Sequence, residues 1–157
     1  MFLCHNKKHC IYIYIPIKPI TMKHLTAPRM DLCIGCQLCA LACARIVYNK
    51  VGWSTSGIQI QNVQNTSSHS YSAHYCLACS PAPCCNSCQT GALSQRPGGG
   101  IFFNQDLCTK CGNCYPSCPM GAIHQSPEGE ISVCIHCGEC IAFCPQQCLK
   151  MQESPTP

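Results

Sequence analysis

The stretch CTKCGNCYPSCPMGAI runs from Cys108 to Ile123. Its four cysteines stand at C-x2-C-x2-C-x3-C, and a proline follows the fourth. Cys134, Cys137, Cys140 and Cys144 repeat the spacing, with Pro145 after them. Cys33, Cys36, Cys39 and Cys43 repeat it again, but with Ala44 in the proline's place. Three such runs in one polypeptide are a pattern of ligands rather than of scattered thiols.

Composition says why ligands are needed. Twenty of the 157 residues are cysteine, whereas only 10 are Lys or Arg and 6 are Asp or Glu. Leu, Ile, Val and Phe are scarce, so a conventional apolar core is thin, and cross-links or metals must supplement it. Disulfides give no reason for a repeated C-x2-C-x2-C. Structural zinc takes two separated cysteine pairs, not a triplet plus one. The spacing matches the bacterial ferredoxin run, in which three close cysteines hold one iron–sulfur cube and the fourth reaches the other cube of a pair. A proline just after the fourth cysteine suits the first turn of a short helix.

A fourth run is irregular. CLACSPAPCCNSCQTGAL, Cys76 to Leu93, contains five cysteines. Gly91-Ala92-Leu93 stands after Cys88 as Gly121-Ala122-Ile123 stands after Cys118, which makes Cys88 a fourth cysteine. Counting back four places selects Cys84 over Cys85, so the run is Cys76, Cys79, Cys84 and Cys88, with an insertion of two residues stiffened by Pro81 and Pro83. Cys85 is left over. Cys148 occupies the slot of Ala122 and reads as a small buried side chain. Sixteen cysteines in four runs imply four [4Fe-4S] clusters.

Between runs, Gly98-Gly99-Gly100 and Pro127-Glu128-Gly129-Glu130 separate short apolar β-forming stretches, as in hairpins. The gap from Ala44 to Tyr75 alternates at Ile58, Ile60 and Val63. Each unit is then a cluster loop, a short helix and a hairpin, and four of them form an internal repeat. The fold class is small α+β, made of tandem bacterial-ferredoxin-like repeats.

These motifs resemble the four-cluster ferredoxin-type electron-transfer subunits of molybdenum or tungsten oxidoreductases, hydrogenases and formate dehydrogenases. The lengthened second run carries the likeness, which covers residues 22–151. GALSQRPGGGIFFNQDLCTKCGNC and CARIVYNKVGW look most similar to the small subunit of tungsten aldehyde oxidoreductases. By spacing alone, the third and fourth runs could pair as a plain two-cluster ferredoxin. The resemblance implies instead that outer runs pair and inner runs pair. One cluster then takes Cys33, Cys36, Cys39 and Cys144, and its neighbour takes Cys134, Cys137, Cys140 and Cys43. A third takes Cys76, Cys79, Cys84 and Cys118, and a fourth takes Cys108, Cys111, Cys114 and Cys88. Two pseudosymmetric lobes follow: an outer lobe of residues 23–65 and 126–157, and an inner lobe of residues 66–125 inserted in it. Ala44 and Gln89, where the pattern has proline, leave those helix starts less rigid.

The implied function is electron transfer, with no catalysis by the polypeptide itself. The implied partners are a catalytic oxidoreductase subunit, of Mo/W-pterin or hydrogenase-like type, and a redox donor or acceptor protein. The alternative is a free ferredoxin-like carrier or a cluster-containing assembly factor. There is no Walker lysine loop, no dinucleotide glycine loop and no C-x-x-C-H for haem. The formal charge of +4 does not signal nucleic acid, because four oxidised cubanes with their thiolates contribute about −8. Lys110, His136 and Glu139 lie between cluster cysteines, where a side chain can tune a cluster potential, and solvated loop positions are expected. Trp53 suits a docking face or a cover for the core.

Residues 1–22 read as an extension, or as a start placed ahead of Met22. The apolar run Ile11 to Ile17 is too short to span a bilayer and contains Pro16. Cys4, His5, His9 and Cys10 form a poor metal set. With no export signal, oxygen-sensitive clusters point to the cytoplasm of an anaerobic or microaerobic host.

Overall fold

The computed structural model describes residues 22–63 and 70–154. The expected extension, with Cys4, His5, His9 and Cys10, lies outside the described residues, except for Met22.

Four two-stranded antiparallel sheets alternate with the four cysteine runs. β1 (Met22–Thr26) pairs with β8 (Lys150–Ser154), placing Leu25 opposite Met151. β2 (Gln59–Asn62) pairs with β3 (Tyr71–His74), β4 (Leu93–Gln95) with β5 (Ile101–Phe103), and β6 (Ile123–Gln125) with β7 (Ile131–Val133). The unit after the last run is therefore closed by the strand before the first run. Three hairpins are sequential, and the fourth sheet joins the two ends of the described residues.

The β4–β5 and β6–β7 loops share one geometry. Arg96 N–H bonds to Gly100 O at 3.0 Å, and Gly99 N–H bonds to Arg96 O at 3.1 Å. Ser126 N–H bonds to Glu130 O at 2.8 Å, and Gly129 N–H to Ser126 O at 2.9 Å. In both loops a proline follows the first of these residues and a left-handed glycine sits at the fourth.

The helices are not where the prolines suggested. α2 (Pro83–Asn86), α3 (Cys114–Ser117) and a 3-10 turn (Glu139–Phe143) contain the third cysteine of their runs and end before the fourth. In α3 and the 3-10 turn the fourth cysteine, Cys118 or Cys144, ends the helical turn instead of starting one, and α2 is capped by Ser87 just before Cys88. Pro119 and Pro145 take the second position of β-turns closed by Gly121 N–H to Cys118 O at 3.1 Å and Gln147 N–H to Cys144 O at 3.0 Å. Proline's fixed φ suits that position as well as it suits a helix start. Gln89 occupies the same place in the turn from Cys88 to Gly91, closed at 3.3 Å, so proline is not required for it.

The first run differs. α1 (Leu38–Tyr48) contains both Cys39 and Cys43 and continues past them to a left-handed Asn49. Ala44 lets the helix run on, since it keeps the N–H that proline lacks. Pro83, within the inserted loop, stands at the first position of α2.

The buried residues form two clusters. One gathers Leu25, Tyr48, Ile58, Ile60 and Leu149 with Cys39, Cys43, Cys134 and Cys140. The other gathers Leu93, Ile101, Ile123, Ile131 and Val133 with Cys84 and Cys114. Cysteines are thus structural members of both cores. β7 falls by residue number in the expected outer lobe, yet it packs in the second cluster.

Candidate iron–sulfur centres

The local fold of each run prepares its cysteines. Gly35, Ala78, Lys110 and His136 all stand two residues after the first cysteine of their run, and all have left-handed φ, from 56° to 68°. A second left-handed residue follows the second cysteine in three runs: Gln37, Gly112 and Gly138. Successive main-chain N–H groups in such turns point into a shared concavity that favours anions. Run two departs here, because its insertion begins at Ser80.

Several of these N–H groups bond sulfur. Ala78 N–H reaches Cys76 Sγ at 3.4 Å, and His136 N–H reaches Cys134 Sγ at 3.5 Å. Every fourth cysteine also accepts one: Cys43 from Gly57 at 3.3 Å, Cys88 from Leu93 at 3.3 Å, Cys118 from Ala122 at 3.4 Å and Cys144 from Cys148 at 3.3 Å. Gly57 has no room for a side chain, since a Cβ there would lie 2.5 Å from the Val133 carbonyl carbon.

The structure brings the sixteen candidate cysteines into four neighbourhoods. Burial, and then the charges of Cys144, Cys36 and Cys33, push the Cys39 thiol up to about 12 against the opposing Ala40 N–H. Burial also raises Cys43 and Cys140, the latter to about 12. Cys137 acts on both, and Cys43 and Cys140 both act on Cys134. Cys76 is driven up to about 11 by burial, with Cys84, Cys79 and Cys118 beside it. Cys114 is driven up to about 11 by burial, with Cys108, Cys88 and Cys111 beside it. Each neighbourhood holds three cysteines of one run and the fourth of another. Three of them line concave sites walled by apolar residues such as Ile58, Ile101 and Ile131.

In a metal-free polypeptide burial and the neighbouring sulfurs both oppose thiolate at Cys39, Cys43, Cys76, Cys84, Cys114, Cys134 and Cys140. Bound iron reverses the balance by neutralising the sulfur charge. Cys88 shows the opposite tendency: burial opposes its ionisation, but N–H and hydroxyl donors from Leu93, Thr90 and Ala92 outweigh it and hold it below the usual thiol range. The donor sets fit a cube better than a single ion. Among the described residues no trio of His, Cys, Asp or Glu closes on one point as a lone metal requires, and all the described cysteines are unbridged.

The leftover cysteines separate. Cys148 is buried, as its alignment with Ala122 suggested, and supplies the N–H to Cys144. Cys85 is half-buried on α2. Its thiol is raised to about 12 by burial and by the neighbouring Cys84, to which it hydrogen-bonds.

The inter-cysteine residues divide as well. Lys110 and Glu139 are exposed or half-exposed, as expected of loop positions, and Lys110 pairs with Glu130 at 3.3 Å. His136 is not solvated. It is only 5% exposed, and burial holds its imidazole down at about 4. Its Nδ1 accepts the Leu25 N–H at 3.0 Å, and its ring meets His24 edge-on at 5.5 Å. The long-range placement of β1 beside the last run creates that burial, and no local sequence signal announces it. Trp53 is 60% exposed and does not cover the core.

Comparison with known proteins agrees with the motifs. Residues 101–124 match a family described as a 4Fe-4S binding domain, and residues 30–48 and 131–149 match a second family of the same description. The run from Cys76 to Cys88, with its insertion, lies outside these matches. The sequence is 33% identical over 107 residues to the aliphatic sulfonate oxidoreductase, polyferredoxin-like subunit of Pyrococcus furiosus, covering 67% of this protein and 59% of that one. It is 30% identical over 118 residues to the thiosulfate reductase electron transfer subunit PhsB of Salmonella typhi, covering 68% and 60%. It is 31% identical over 96 residues to the arsenate respiratory reductase iron-sulfur subunit ArrB of a Shewanella species, covering 60% and 41%. The matched region therefore spans between about two fifths and three fifths of the length of these relatives. Three segments, holding the first, third and fourth cysteine runs, are 4Fe-4S binding domains by similarity.

Proposed function

We propose that the protein is the electron-transfer subunit of an oxidoreductase complex and carries four [4Fe-4S] clusters. The observation that supports this most is that three concave sites are each lined by three cysteines of one run and one of another, while the remaining four, Cys33, Cys36, Cys39 and Cys144, lie beside one another. Cys33, Cys36, Cys39 and Cys144 would hold one cluster, and Cys134, Cys137, Cys140 and Cys43 the second. Cys76, Cys79, Cys84 and Cys118 would hold the third, and Cys108, Cys111, Cys114 and Cys88 the fourth. The first two sites belong to an outer lobe and the last two to an inner lobe. Bound clusters supply one-electron redox chemistry. The protein supplies thiolates, N–H donors that moderate their charge, and apolar walls that limit water.

The subunit performs no catalysis by itself. Its partner is a catalytic subunit of the Mo/W-pterin type, in keeping with the reductase and oxidoreductase names of its relatives. A tungsten aldehyde oxidoreductase is the narrower form of the proposal and rests on sequence resemblance alone. Among the described residues no helix is long and apolar enough to cross a membrane. We place the complex in the cytoplasm, where thiolate clusters remain reduced.

Anaerobic affinity isolation from the native host tests the proposal. A larger oxidoreductase subunit with a pterin cofactor should co-purify in a fixed ratio. A protein that runs alone and reduces soluble acceptors would instead support a free carrier.

A further inference from the structure

Among the described residues, the candidate ligands Cys134 and Cys76 lie where the proposed outer and inner lobes adjoin. Cys134 of the outer lobe is pushed up by burial, then by Cys43 and Cys140 of its own neighbourhood and by Cys76 of the inner lobe. Cys76 likewise packs against both buried clusters.

The β4–β5 turn ties this junction from both sides. On the inner side, Gly100 N–H bonds to Cys79 O at 3.3 Å. The Gln95 carboxamide accepts the Ala82 N–H at 2.6 Å and donates to Cys79 O at 3.2 Å. On the outer side, the Arg96 guanidinium donates to Ile135 O at 3.0 Å and to Lys23 O at 3.4 Å. Cys79 and Ile135 belong to the loops of Cys76 and Cys134, so one hairpin end grips both.

Close approach seals the contact. Ala78 and His136 are repeat-equivalent, and each donates its N–H to the first cysteine of its run. The two meet across Gly100: a Cβ there would lie 3.2 Å from His136 Cδ2 and 3.5 Å from Ala78 Cβ. At Gly99 a Cβ would collide with the Ala78 carbonyl oxygen, so this backbone can approach only as glycine. His136 is in turn fixed to β1 through Leu25 N–H.

We propose that the Gly98–Gly100 turn, Arg96 and His136 form a clamp that sets the spacing between the Cys76 and Cys134 sites, and that they are positioning residues for one-electron exchange between the lobes. This rests on the reading of the cysteine sets as [4Fe-4S] sites. The exchange loses one electron on one side and gains one on the other, with no bond formed or broken and no proton moved. Its rate falls steeply with distance, so a clamp that holds two loops in register has a direct kinetic effect.

Two variants of the full holoprotein, Arg96→Gln and Gly100→Ala, test the clamp. Iron and sulfide per polypeptide are measured first, then the spin–spin interaction of the dithionite-reduced protein by EPR, then the rate of electron redistribution after partial photoreduction. Iron and sulfide should match the wild type, the inter-lobe interaction should weaken, and redistribution should slow by about tenfold or more. Unchanged EPR and unchanged rate at full iron content would overturn the clamp and leave the cluster reading intact. Lost iron in both variants would overturn it too, since the residues would then hold a site and not a spacing. Wild-type protein without cubane signals would overturn the cluster reading itself.

Discussion

The Tyr48 hydroxyl accepts the Val133 N–H at 2.8 Å and donates back to the Val133 carbonyl. Tyr48 ends α1 in one buried cluster, and Val133 ends β7 in the other, so this contact joins the two cores. Tyr48→Phe removes the only hydroxyl in the pair and strands both main-chain groups. We expect a loss of about 1–3 kcal/mol, read as a lower thermal midpoint at unchanged iron content. An unchanged midpoint would show that the aromatic ring alone does the joining.

The doublet Cys84-Cys85 gives a sharper test. Cys84 lies in the neighbourhood of Cys76, whereas Cys85 hydrogen-bonds to Cys84 and feels Cys88 and Cys76 more weakly. Cys84→Ser should lower iron by about one to four atoms per polypeptide. Cys85→Ser should leave iron unchanged. Equal loss from both would mean that the register of the second run is wrong.

Much of this is legible in the sequence because the candidate ligands are local. Three cysteines of each run sit within a few residues, and their spacing is the signal. The hairpins are legible for the same reason, through Pro97, Gly99, Pro127 and Gly129. Pro119 and Pro145 mislead about the helices, because proline serves a helix start and a β-turn equally. Gly121, three residues after Cys118, is the signal for the turn. His136 and Tyr48 are silent in the sequence for another reason. Their partners, Leu25 and Val133, are 111 and 85 residues away, and nothing local encodes such contacts.

Acid should destabilise the protein partly through His124. Burial, and then the neighbouring His74, hold this imidazole below its usual range, and its buried Nε2 has no hydrogen-bond partner. The unfolded state takes up the proton near pH 6.5, while the folded state resists it. Stability is therefore full above that pH and declines as the pH falls below it. His124→Gln should flatten the dependence of the thermal midpoint between about pH 7 and pH 5. An unaltered slope would show that His124 does not govern this acid sensitivity.

Removal of iron should unfold much of the protein. Cys39, Cys43, Cys134 and Cys140 are buried in one core, and Cys84 and Cys114 in the other. Without metal these positions bring thiols together with little apolar mass to replace the cluster. Site binding is then folding free energy. Chelation under denaturant-free conditions should collapse the far-ultraviolet dichroism of the strands and expose apolar surface to a fluorescent dye. Retained dichroism would show that the hairpins suffice without iron.

The iron and sulfide content of anaerobically prepared protein, combined with Mössbauer spectroscopy, tests the four-cluster assignment most directly. Four cubanes predict about 16 iron and about 16 sulfide per polypeptide, with all iron in [4Fe-4S] environments. About 8 of each, or iron in mononuclear thiolate sites, would contradict the assignment of four neighbourhoods to four clusters.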